Sequence, residues 1–115
     1  MTLKSKKDNP ILIFECANAH GGDLDVLLKT ITSFSSVKYN KKHIKFQPFH
    51  PDTISLDDFS WHNIYHQLKF KDTEWGEILE IAHRNYNGVW LDLFDLFGIE
   101  ILKDNISKIT GLKLQ

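Results

Sequence analysis

The sequence predicts an α/β fold, with about four parallel strands joined by crossover helices. Two observations carry this. Short runs rich in β-branched and aromatic residues alternate with longer segments whose apolar residues recur at spacings of three and four. The order is strand, helix, strand, helix, strand, helix, strand, which is the grammar of a parallel sheet with right-handed crossovers.

The elements follow in chain order. Residues 1–10 are polar and basic and read as a solvated tail. Ile11 to Cys16 is a near-continuous apolar run, as in a strand covered on both faces. A polar turn follows, containing His20-Gly21-Gly22. Asp23 is a good N-cap for a helix that carries Leu24, Leu27, Leu28, Ile31 and Phe34 on one stripe. The second strand runs from Ile44 to Pro48. The segment from His50 to Lys71 is long and irregular, with a short helix around Trp61 to Leu68; long connections of this kind often carry binding function. A further helix starts near Thr73, places Trp75, Ile78, Leu79, Ala82 and Tyr86 on one stripe, and ends at Asn87-Gly88. Val89 to Phe94 is the third strand, Leu96 to Lys103 a short helix, and a last strand begins near Thr110 and runs to Gln115. With no covering element after that strand, the sequence reads as the front part of something longer.

Composition narrows the function classes. A chain of 115 residues is at most one domain, and 42% apolar with 25% charged residues is globular. A formal charge of −1 argues against a nucleic-acid or anionic-membrane surface. The apolar run after the basic N-terminus contains Glu15 and lacks a cleavage site, so it is not read as a signal peptide. The single cysteine, Cys16, cannot form an internal disulfide, and a cytoplasmic location is expected.

Each predicted strand carries polar residues at or near its C-terminal end: Glu15, then Lys45 and Gln47, then Asp92 with Asp95 beyond it, then Lys113 and Gln115. Burying an unpaired charge in a sheet is costly. In parallel α/β folds the strand ends form the ligand-binding face. Two lysines aimed into one cavity imply an anion, a phosphate or a carboxylate. Gln47 adds a neutral donor and acceptor, and Glu15 could orient a hydroxyl or handle a proton. The alternative is a set of partnered polar residues, such as a Glu15–Lys45 ion pair.

These residues resemble the sialic acid synthases, which condense phosphoenolpyruvate with N-acetylmannosamine or a related amino sugar. The first strand and turn of that family read like AEIGVNHNGDL, matched here by Phe14 to Leu24. Its second strand carries KFQ, present unchanged as Lys45-Phe46-Gln47. Its third ends like STPFD, matched by Leu91-Asp92-Leu93-Phe94-Asp95, with Asp92 in place of the threonine and Leu93 in place of the proline. Its fourth begins with a lysine, as at Lys113. The resemblance spans residues 11–115 in order.

The resemblance implies a partial (β/α)8 barrel of the TIM type, the N-terminal half of the catalytic barrel. It places Lys45, Gln47 and Lys113 near the phosphate and carboxylate of phosphoenolpyruvate and turns Glu15 toward the sugar. Asp92 lies on the same strand-end face, and His20 in the first turn matches a family histidine, with shaping of the loop as its favoured role over substrate contact. In the family a divalent metal, manganese or magnesium, polarises the sugar aldehyde; its histidine ligands belong to later strands, so no metal ligand is assigned in this chain. Catalysis by these residues alone is therefore not expected. The resemblance also implies a homodimer, and a half-barrel has two open edges that invite pairing. The competing readings are a non-catalytic half-barrel assembly module and a small phosphate-binding module.

Other features have plainer readings. His62 and His66 are four apart and could chelate a metal on a helix, but without a third ligand nearby they read as surface histidines. Cys16 reads as a buried small hydrophobe. Trp61, Trp75 and Trp90 read as packing residues.

Overall fold

The computed structural model describes residues 9–115, and the expected tail lies outside them except for Asn9 and Pro10. Those two are tied to the loop before the second strand. The Asn9 amide donates to the Asn40 side chain at 2.6 Å, and the Tyr39 hydroxyl donates to the Pro10 carbonyl.

Four strands, β1 (Leu12–Glu15), β2 (Lys42–Phe46), β3 (Gly88–Leu93) and β4 (Gly111–Leu114), form one sheet in sequential order, and every pairing is parallel. The helices are α1 (Leu24–Ser35), α2 (Pro51–Ile54), α3 (His62–Leu68), α4 (Asp72–Asn85) and α5 (Leu96–Asp104). The α/β architecture with about four parallel strands is the one expected from sequence.

The core lies between the sheet and helices α1, α4 and α5. Strand side chains alternate in direction. Phe14, Ile44, Phe46, Val89, Leu91 and Leu93 pack on Leu27, Ile31, Trp75, Ile78, Leu79, Ala82 and Ile101. Ile78 and Leu79 are fully buried, so truncating either to alanine costs about 3 kcal/mol. The Tyr86 hydroxyl donates to the Ile31 carbonyl at 2.5 Å and joins α4 to α1.

Helix boundaries have local causes. Asp23 caps α1, its carboxylate accepting from the Val26 N–H at 3.2 Å. The turn before it depends on Gly22, which has φ +82°; a Cβ there would lie 1.7 Å from the Gln67 carbonyl oxygen, so this turn and the end of α3 sit backbone to side-chainless backbone. Gly88 is needed for a different reason. A Cβ there would meet the His43 ring at 2.5 Å.

Three expectations are corrected. β1 is not covered on both faces: Ile11, Leu12 and Ile13 are exposed, because among the described residues β1 is an edge strand and no helix layer covers the sheet's second face. Trp61 is exposed rather than packed, since it precedes α3 on the outer side of the long connection. That connection also contains a helical turn, α2, where proline and aspartate suggested irregular chain; His50 caps it and Pro51 occupies its first turn, a position that needs no N–H.

Candidate functional site

The second face of the sheet carries the residues whose strand parity opposes the core. Register aligns Glu15 with Lys45, Lys45 with Trp90, and Asp92 with Lys113. Glu15, Lys45, Asp92 and Lys113 thus share one face toward the strand ends, as the alternation in sequence predicts. Deeper on this face the Trp90 indole N–H donates to His43 Nδ1 at 2.8 Å.

Lys45 is the centre of the polar group. Its ammonium lies 2.9 Å from Glu15 Oε1 and 3.6 Å from Asp92 Oδ1. The Glu15–Lys45 pair named among the alternatives is therefore formed. Burial differs sharply across the group: side-chain exposure is 56% for Glu15, 14% for Lys45 and 4% for Asp92. Among the described residues Asp92 Oδ1 has no hydrogen-bond partner, and Lys45 is its countercharge. The Lys45 hydrogen bond and charge, reinforced by Lys113, hold the Glu15 carboxyl below its ordinary range. The hydrogen bond that the Lys45 ammonium donates to Glu15, with the charges of Asp92 and Glu15, holds that ammonium above its ordinary range against burial. Lys113 is exposed and Gln47 half-buried.

Two lysines thus face two carboxylates, so the group is balanced rather than strongly positive. The carboxylates already grip an ammonium between them. No third metal-binding group converges with them among the described residues, so this face does not fit a divalent ion.

His20 is buried in the turn after β1. Its Nδ1 accepts the Gly22 N–H at 2.8 Å, and its ring packs 4.6 Å from that of Phe70. Burial pushes its imidazole below the ordinary range, so it is neutral at physiological pH. The visible work of His20 is to hold the glycine turn. Cys16 is buried, and burial pushes its thiol up to about 12, which removes it as a nucleophile.

Asp95 has a role that sequence reasoning left unassigned. Its Oδ1 accepts from the Gly98 N–H at 2.9 Å and caps α5. Its Oδ2 accepts from the His50 N–H at 2.8 Å and from the Thr53 hydroxyl. It therefore ties the end of β3 to the start of the long connection. The local signal is the aspartate three residues before a glycine at a helix start, which marks a cap but not the cross-connection.

The reading of His62 as a surface histidine is also corrected. His62 is 7% exposed, because α3 folds back on α2 and turns this ring inward. Asp52 supplies the third donor that the local spacing lacked, its Oδ1 lying 3.2 Å from His62 Nε2 and 3.0 Å from His66 Nε2.

Among the described residues, no helix is long and apolar enough to cross a membrane. No family model matches the chain, and no curated protein matches it. Solved structures do. The N-acetylneuraminic acid (sialic acid) synthetase of Leptospira borgpetersenii, solved in complex with citrate, superposes with TM-score 0.76 at 24% identity over 93% of this chain and 37% of its own. A spore coat polysaccharide biosynthesis protein E of Chromobacterium violaceum superposes with TM-score 0.74 at 18% identity, over 92% of this chain and 34% of its own. The chain spans about a third of the length of either structure. Its four-stranded α/β sheet has the fold of the corresponding part of a sialic acid synthetase, in agreement with the resemblance read from Glu15, Lys45-Phe46-Gln47 and Phe94-Asp95.

Proposed function

We propose that this chain carries the phosphoenolpyruvate-binding strand ends of a sialic acid synthase-type barrel, which condenses phosphoenolpyruvate with an N-acetylated amino sugar. The observation that carries the reading is the alignment of Lys45 and Lys113 on one strand-end face, beside Gln47, in a sheet with the synthetase fold. Lys113 is the cation open to solvent and meets the phosphate or carboxylate first. Lys45, held between Glu15 and Asp92, is fixed in place before any ligand arrives, which lowers the ordering cost of binding. Gln47 supplies a neutral donor. Glu15, kept ionised by Lys45, is a weak base; it is suited to accept a hydrogen bond from a sugar hydroxyl rather than to move a proton.

Calorimetry with phosphoenolpyruvate tests this. Binding that weakens about tenfold in Lys113→Ala, with the melting temperature unchanged, is the expected result, one charge-assisted contact being worth about 1.5 kcal/mol. Equal affinity of Lys113→Ala and the parent overturns the reading.

A second reading, an assembly module, draws on the edges. Among the described residues β1 and β4 each pair on one side alone, and Ile11, Leu12, Ile13, Leu112 and Leu114 are exposed along them. Two copies could close a barrel across these edges. A sedimentation mass of one chain at high protein concentration rules that out; a mass of two supports it.

A further inference from the structure

The connection between β2 and α4 holds a second cluster that the strand-end face does not use. His50 caps α2, its Nδ1 accepting the Asp52 N–H at 3.2 Å, and this fixes the backbone from which the Asp52 carboxylate projects. His62 and His66 stand four residues apart on α3 with ring centroids 4.7 Å apart. His66 Nε2 lies 3.0 Å and His62 Nε2 3.2 Å from the same oxygen, Asp52 Oδ1, and the two nitrogens are 3.1 Å from each other. Three ligand-type atoms therefore form a nearly equilateral triangle.

The Ser55 hydroxyl donates to the Pro51 carbonyl at 3.4 Å, and its oxygen is 2.7 Å from His62 Nδ1. His62 Nε2 faces the Asp52 oxygen at 3.2 Å. His66 Nε2 lies 3.0 Å from the Asp52 oxygen and 3.1 Å from His62 Nε2. A divalent cation satisfies all three at once. Tetrahedral zinc with bonds of about 2.0–2.1 Å sets its ligand atoms about 3.3 Å apart, so the triangle needs to open by only a few tenths of an ångström. The chain from Pro51 carbonyl through Ser55 to His62 is the outer support that metal-bound histidines use to fix their tautomer. The group borders an open cleft of about 380 Å³ lined by Asp52, Ser55, Leu56, Asp57 and His62, which leaves a coordination position for water or a substrate oxygen.

We infer that Asp52, His62 and His66 form a binding site for one divalent transition-metal ion of the zinc type, in the connection that follows β2. The site is independent of the proposed synthase reaction, whose metal ligands the resemblance assigns to later strands, and the two stand or fall separately.

Cobalt(II) is the probe, added to the whole chain after chelation. The expected result is one ion per chain with the intense visible absorption of four-coordinate cobalt, displaced by one equivalent of zinc. His66→Gln, at the more exposed ring, lowers the affinity about a hundredfold or more, and Ser55→Ala lowers it about tenfold. His83→Gln, at an exposed histidine on α4, leaves it unchanged. Circular dichroism of each variant confirms the fold. Failure to bind cobalt, a weak six-coordinate spectrum, or parental affinity in both His66→Gln and Asp52→Asn overturns the inference.

Discussion

The strand-end group and the connection group are built in opposite ways. The strand-end group, Glu15, Lys45, Asp92 and Lys113, comes from four different strands separated by whole helices, yet parity and register alone align it. The connection group, Asp52, His62 and His66, comes from a span of 15 residues, yet it exists only because α3 folds back on α2. The first group has balanced charge and a buried carboxylate locked to its lysine. The second brings two imidazole nitrogens and a carboxylate oxygen within 3.2 Å of one another. A sheet places charges by geometry that sequence period dictates. A connection places them by packing that no period reports.

The sharpest way to break this contrast is at the point where the regions touch. Gly22→Ala forces a Cβ into the Gln67 carbonyl and displaces the end of α3 from the turn after β1. A loss of about 4 kcal/mol in urea unfolding is expected, with weakened cobalt binding, because α3 carries both histidines. Near-parental stability would mean that the connection is not braced by this turn.

Next in size is Lys45→Ala. It strips the countercharge from a carboxylate that is 4% exposed, and a loss of about 3 kcal/mol is expected. Adding Asp92→Leu should recover most of that loss, since the cost lies in the stranded charge. A double variant no more stable than Lys45→Ala would show that Lys45 acts through something other than Asp92.

Asp95→Ala should cost about 2 kcal/mol, through the α5 cap and the tie to His50. It should also loosen the connection, so cobalt affinity falls while the response of the strand ends to phosphoenolpyruvate persists. Equal loss of both would dissolve the separation between the two regions.

The smallest effect is a pH dependence at Glu15. Its carboxyl is held below the ordinary range, so it contributes stability that is full above the unfolded value of about 4.3 and fades as pH falls through the lower folded value. Glu15 is more than half exposed, so screening keeps this under about 1 kcal/mol. Glu15→Gln should flatten the acid limb of the stability curve between about pH 5 and pH 3. An unchanged limb would assign that slope to other carboxylates.

What the sequence carried follows from the same contrast. Lys45-Phe46-Gln47 announced both faces of β2, because a period of two needs only the neighbouring residues. Phe46 is in the core and Lys45 on the opposite face, as expected. The exposure of β1 was not legible, because an apolar strand reads alike whether its faces are covered or bare. The burial of His62 was not legible either. Its ring is covered only after α2 turns the chain back, and α2 rests on an Asp95 tie from 45 residues away. Asp52 stands ten residues before His62 with no helical or strand period to link them.

The most direct test of the central claim is a titration of the isotope-labelled chain with phosphoenolpyruvate, followed by two-dimensional amide NMR. Saturable shifts are expected at Lys45, Gln47, Asp92 and Lys113, with His62 and His66 unmoved, and their loss is expected in Lys113→Ala. Shifts confined to the connection, or none at the strand ends, would contradict it.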